Sequence, residues 1–121
     1  MGLAVTSDVQ RPPTQLARML EVRAPGIWQA FRAGVEALDR TTQGTVTSWW
    51  RSPERNAAVG GSSSSQHLLG VAIDVTGDLQ RIAHAARAAG WVVVVESDHV
   101  HLQAFPAGAL ARAGIFRAAF G

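Results

Sequence analysis

The sequence predicts an α+β fold, with helices first and then a small antiparallel sheet into which one helix is inserted. Helix-period apolar stripes fill the N-terminal third, and short β-branched runs follow from Thr45 onward. Helices followed by strands, rather than strict alternation, favour an antiparallel sheet with helices packed beside it. A length of 121 residues fits one domain, spanning 1–121. Hydrophobic residues make up 47% and charged residues 17%, which supplies a core and excludes a disordered chain.

Each element follows from local chemistry. Residues 1–13 read as an irregular arm, because Arg11-Pro12-Pro13 blocks a helix there. Thr14 suits an N-cap, and Leu16, Met19 and Leu20 form an apolar stripe that Pro25-Gly26 ends. Ile27, Phe31, Val35 and Leu38 then share one face of a second helix. After a turn over 41–44, Thr45 to Trp50 is β-branched and aromatic enough for a strand. Ser52-Pro53-Glu54 starts a short helix, with proline in its first turn. The Gly60 to Ser65 stretch is a surface loop within the domain, since a linker there would leave two halves too small to stand alone. Val71 to Thr76 alternates as a strand, and Asp78 to Ala89 is a helix that Gly90 ends. Trp91 to Val95 and His99 to Gln103 form a hairpin around Ser97-Asp98. Ala107 to Ala113 forms a last short helix before a hydrophobic tail. Trp91 belongs to the core, while of Trp49 and Trp50 at most one can, since neighbours on a strand face opposite sides.

Composition removes several function classes. No apolar run approaches the ~20 residues of a membrane span; the longest is Trp91 to Val95. The absence of cysteine excludes disulfides, thiolate ligands and a cysteine nucleophile. An isoelectric point near 11.0 suggests nucleic acid, but all basic residues are arginine and none cluster. With no Lys, Tyr or Cys to titrate, a small positive excess persists until arginine itself begins to deprotonate. No nucleic-acid partner is expected.

The histidines carry the chemistry. His99 and His101 are two apart on a strand and therefore project from the same face. His67 follows the serine loop, Asp74 lies seven residues later on the next strand, and Gly70 between them permits a tight turn. Two imidazoles and one carboxylate, with a fourth position left to water, is how a catalytic zinc site is built. Taken alone, each element has a plainer explanation; Asp74 could simply pair with Arg51. His84 lies in a good helix with no partner at helical spacing and reads as a half-exposed surface residue.

The stretch Ser65-Gln66-His67-Leu68-Leu69-Gly70-Val71-Ala72-Ile73-Asp74 fits S-x-H-x-x-G-x-A-x-D, and it resembles the first zinc motif of the zinc D-Ala-D-Ala carboxypeptidases. Those enzymes share a fold group with lysostaphin-type peptidases and the hedgehog signalling domain. Upstream, the segment from Thr47 to Pro53 together with Asn56 resembles the family's S-x-x-R-S region, and Val59-Gly60-Gly61 its V-G-G. Downstream, Glu96-Ser97-Asp98-His99-Val100-His101 resembles the second motif. The likeness covers about 44–103, which marks the zinc-site core, and leaves the N-terminal helices outside it.

The resemblance implies that His67, Asp74 and His101 hold one Zn²⁺ per chain. It makes Asp98, three residues before the last ligand, the first choice for general base, with Glu96 as competitor. His99 would face the reaction centre, Arg51 the substrate carbonyl or carboxylate, and Ser65 the substrate's terminal group. On an ideal strand Asp98 points away from His101, so the assignment requires a bend or bulge. The implied activity is a monomeric zinc peptidase that cuts peptidoglycan stem peptides next to a D-amino acid, as a carboxypeptidase or endopeptidase. Its alternative is an inactive zinc-bearing interaction module of the same fold. With no signal-peptide pattern in its first residues, the chain is expected to be made in the cytoplasm and to act on the cell wall, as a phage-encoded lysin would.

Overall fold

The computed structural model describes residues 2–121. Strand β1 (Leu3–Val5) leads into helices α1 (Thr14–Arg23) and α2 (Ile27–Thr41), then strand β2 (Gly44–Ser48) and helix α3 (Pro53–Ala58). A 3₁₀ turn (Gln66–Leu69) precedes β3 (Ala72–Thr76), α4 (Leu79–Ala88), β4 (Val92–Val95), β5 (Val100–Gln103), α5 (Ala109–Arg112) and α6 (Ile115–Phe120). The five strands form one sheet in the order β1-β2-β3-β5-β4.

The α+β architecture is the expected one, with α4 inserted between β3 and the β4–β5 hairpin. Two readings need correction. Residues 1–13 are not wholly irregular, because Leu3 to Val5 pair in parallel with Gly44 to Val46. The sheet is therefore mixed rather than purely antiparallel. The Asp39 carboxylate, near the end of α2, accepts from the backbone N–H groups of Gly2 and Leu3 and sets the arm beside β2. The Thr45 to Trp50 strand stops at Ser48, and Trp49 and Trp50 leave the ladder.

Smaller differences have local causes. Helix α1 is capped by the Pro13 carbonyl, which accepts from Ala17 N–H, so Thr14 lies inside the helix. The hydrophobic tail folds back as α6, with Ile115 buried. Side-chain caps act at two of the other helix starts. The Ser52 hydroxyl accepts from Arg55 N–H ahead of Pro53, and the Asp78 carboxylate accepts from Arg81 N–H.

The core lies between one sheet face and helices α1, α2 and α4. Leu20, Phe31 and Leu38 meet Ile73, Val75, Val100 and Leu102 there, with Ile82, Ala83 and Ala86 completing it. Phe31 organises the aromatics, stacking on Trp49 at 6.0 Å and meeting Trp91 edge-on at 5.8 Å. Trp91 is buried and its indole N–H donates to the Gly34 carbonyl. No helix among the described residues is long and apolar enough to cross a membrane.

Candidate metal centre

The face of the sheet opposite the core carries the site. Strand alternation puts Val100 and Leu102 into the core and turns His99 and His101 the other way. On β3, Ile73 and Val75 point to the core and Asp74 to the same side as the histidines. Across the ladder Asp74 lies opposite His101, and His101 opposite Val94. A register irregularity between Val46 and Ser48 sets Ser48 opposite Asp74 on the other side. Ser48, Asp74, His101 and Val94 thus form one transverse row over four strands.

His67 is brought above this row by the 3₁₀ turn. The Ser65 hydroxyl caps the turn by accepting from His67 N–H, and Gly70, at φ 76°, ends it in the left-handed region. The segment after β2 staples the turn in place. Trp49 and Trp50 donate their indole N–H groups to the carbonyls of Gly70 and Leu68, and Arg51 N–H donates to the His67 carbonyl. Both tryptophans therefore support the metal centre from behind, and neither lines the cleft.

His67, Asp74 and His101 each offer a ligand atom, and these atoms lie within 4.8 Å of one another. His67 Nε2 is 3.0 Å and His101 Nδ1 is 3.2 Å from Asp74 Oδ1. Each donor has an outer partner. His67 Nδ1–H donates to the Trp49 carbonyl, which frees Nε2 to face the other ligands. His101 Nε2–H donates to Gln103 Oε1 at 3.0 Å, which frees Nδ1. The Gln103 amide is oriented by its own N–H bond to the Phe105 carbonyl. Asp74 Oδ2 receives Arg51 Nη2 at 2.7 Å, and Arg51 Nε is held by the Ser48 hydroxyl.

Electrostatics follow from this packing. Burial opposes ionisation of Asp74, but hydrogen bonds from His101 and His67 and the charges of His67 and Arg51 prevail, holding its carboxyl well below the usual range. Burial likewise opposes a charged His101, yet hydrogen bonds to Asp74 and Gln103 outweigh it and raise its pKa. Two imidazole nitrogens and a carboxylate oxygen, each steered by a second group, suit Zn²⁺ in chemistry and number.

An open cleft of about 620 Å³ lies over the three donors. Arg51, Ser65, Glu96 and His99 line it, together with Ser62, Ser64 and Gln103. Asp98 does not line it. Its side chain is 84% exposed, and Oδ1 lies 2.7 Å from His99 Nδ1. Glu96 continues the alternation of β4, two residues beyond the cleft-lining Val94. Sequence reasoning missed Gln66, whose amide makes paired bonds to the Phe105 backbone, and Gln103. Gln103 carried a signal, since period two places it on the His99–His101 face.

A family model described as Peptidase M15 matches residues 4–103. The chain belongs to the peptidase M15 family. These are zinc-dependent peptidases, the zinc D-Ala-D-Ala carboxypeptidase family, so this M15 chain is assigned as a metallopeptidase with a His/Asp group suited to the metal. The match begins at residue 4, within β1, so the N-terminal helices belong to the M15 unit, which extends the likeness well beyond 44–103. A search of curated proteins returned no match.

Proposed function

We propose that this M15 chain hydrolyses amide bonds next to D-amino acids in peptidoglycan stem peptides, as a carboxypeptidase or endopeptidase acting on the cell wall. One observation carries the reading: three metal donors converge on the floor of a cleft whose walls bear a carboxylate, an imidazole and a guanidinium. His67, Asp74 and His101 would hold a zinc ion, which would supply Lewis acidity at this point of the cleft.

The side chains divide the remaining work. Glu96 is the cleft carboxylate and carries a proton from the attacking water to the leaving amine. Asp98, exposed and bonded to His99, orients that ring instead. With Nδ1–H committed to Asp98, His99 turns Nε2 inward, 3.9 Å from Asp74 Oδ1, where it meets charge developing on the substrate oxygen. Arg51 holds Asp74 and offers its remaining N–H groups to a substrate carbonyl or carboxylate. Ser65 lines the wall where a terminal group would lie.

The first test is elemental analysis of protein purified without added zinc, beside His67→Ala. About one equivalent of zinc in the parent, lost in the variant, is expected. Stem-peptide cleavage should then vanish in Glu96→Gln and persist, weakened, in Asp98→Asn. Zinc binding without cleavage of any stem peptide would reduce the chain to a metal-bearing binding module.

A further inference from the structure

Asn56 is almost completely buried, at 3% exposure, yet it belongs to a short helix beside the cleft rather than to the core cluster. It fastens that helix to the serine loop in two ways. Its backbone carbonyl accepts from Gly61 N–H at 2.8 Å, and its Nδ2 donates to the Ser62 carbonyl at 2.8 Å. Its Oδ1 is buried without a hydrogen-bond partner among the described residues. That oxygen lies against Gly61, so closely that a Cβ built there would fall 2.1 Å away.

The adjacent glycines therefore serve different ends. Gly60 adopts φ 74° with open space around it, so its conformation demands glycine. Gly61 has no positive φ and is glycine because Asn56 leaves no room for a side chain. Beyond it, Ser62, Ser64 and Ser65 line the cleft, and the Ser65 hydroxyl ends the loop on His67 N–H.

We propose that Asn56 is a positioning residue, which through Gly61 and Ser62 fixes the serine wall against which the substrate's polar main chain is held. The inference rests on the peptidase reading of the cleft. Asn56 does not line the cleft and acts through the loop, so it governs substrate affinity more than the chemical step.

The test perturbs this contact from both sides in the zinc-loaded full chain, with Asn56→Asp removing the donor and Gly61→Ala forcing the atoms apart. Kinetics on stem peptides, zinc content and amide hydrogen exchange are measured together. Both variants should keep their zinc, raise KM about tenfold and leave kcat within about twofold. Exchange at the Ser62 to Ser65 amides should quicken while that of β3 and β5 holds. An unchanged KM in variants that retain zinc overturns the inference, as does a fall in kcat alone. If Asn56→Asp does not fold, Gly61→Ala decides. If the parent cleaves no stem peptide, the peptidase reading fails. Exchange then decides separately whether Asn56 holds the loop, and unchanged exchange in both variants overturns that claim.

Discussion

Arg51 holds the oxygen of Asp74 that the histidines leave free. Its Nη2 lies 2.7 Å from Oδ2, while Oδ1 faces His67 and His101. The Asp74 side chain is only 8% exposed, so its charge depends on these partners. The expected ion pair with Arg51 and the candidate metal donor are therefore the same carboxylate, its two oxygens divided between them.

Arg51→Ala should accordingly destabilise the metal-free protein by about 1–3 kcal/mol, because it leaves a mostly buried carboxylate short of its cation. Saturating zinc should restore much of the loss by supplying a new positive partner. Urea denaturation with chelator and with zinc measures both; an equal loss in the two conditions would contradict the argument.

Gln103→Ala removes the acceptor that sets the His101 ring. Metal affinity should fall about 10–100-fold with the fold intact. Competition against a chromophoric chelator reads the affinity, and circular dichroism checks the fold.

The metal-free protein should respond to pH in two directions. His101 has a raised pKa, so its contribution to stability is complete below its ordinary value of about 6.5 and is lost as pH rises through the folded value. Asp74 has a lowered pKa, so its contribution is present above about 3.8 and is lost as pH falls toward the folded value. Zinc must displace the proton from His101 Nδ1, so its affinity should increase as pH rises through the raised folded value of His101. Calorimetric zinc titrations in buffers of different ionisation enthalpy would count the protons released.

Gly70→Ala should cost at least about 1–2 kcal/mol. Its φ of 76° strains any side chain, and a Cβ would come 2.3 Å from Pro12 Cγ. Thermal unfolding measures the loss. Reduced zinc occupancy at ordinary temperature would show that the strain reaches His67, three residues away.

Much of this was legible before any coordinates. Helical periods marked α1, α2 and α4, and valine runs marked β4, because those elements bury one face and the sequence records which. The fold gathers the three residues that the family resemblance implied as ligands, because each lies on an element whose local geometry is strongly dictated. The parallel strand β1 was hidden, since Leu3 to Val5 are too few to show alternation and their partner lies some forty residues away. The 3₁₀ turn was hidden too, as its four residues are all buried and display no amphipathic pattern. The Trp49 carbonyl that orients His67 belongs to the backbone, and backbone groups leave no trace in residue identity.

The three donors come from a 3₁₀ turn and from strands β3 and β5, with the whole of α4 passing between the last two. Asp74 and His101 are 27 positions apart, so they meet only after that crossover has closed and the central ladder has formed. Of the three donors, only His67 and Asp74 are near neighbours in the chain. The complete donor set therefore exists only in the finished topology, and parting of the β3–β5 seam would take it apart.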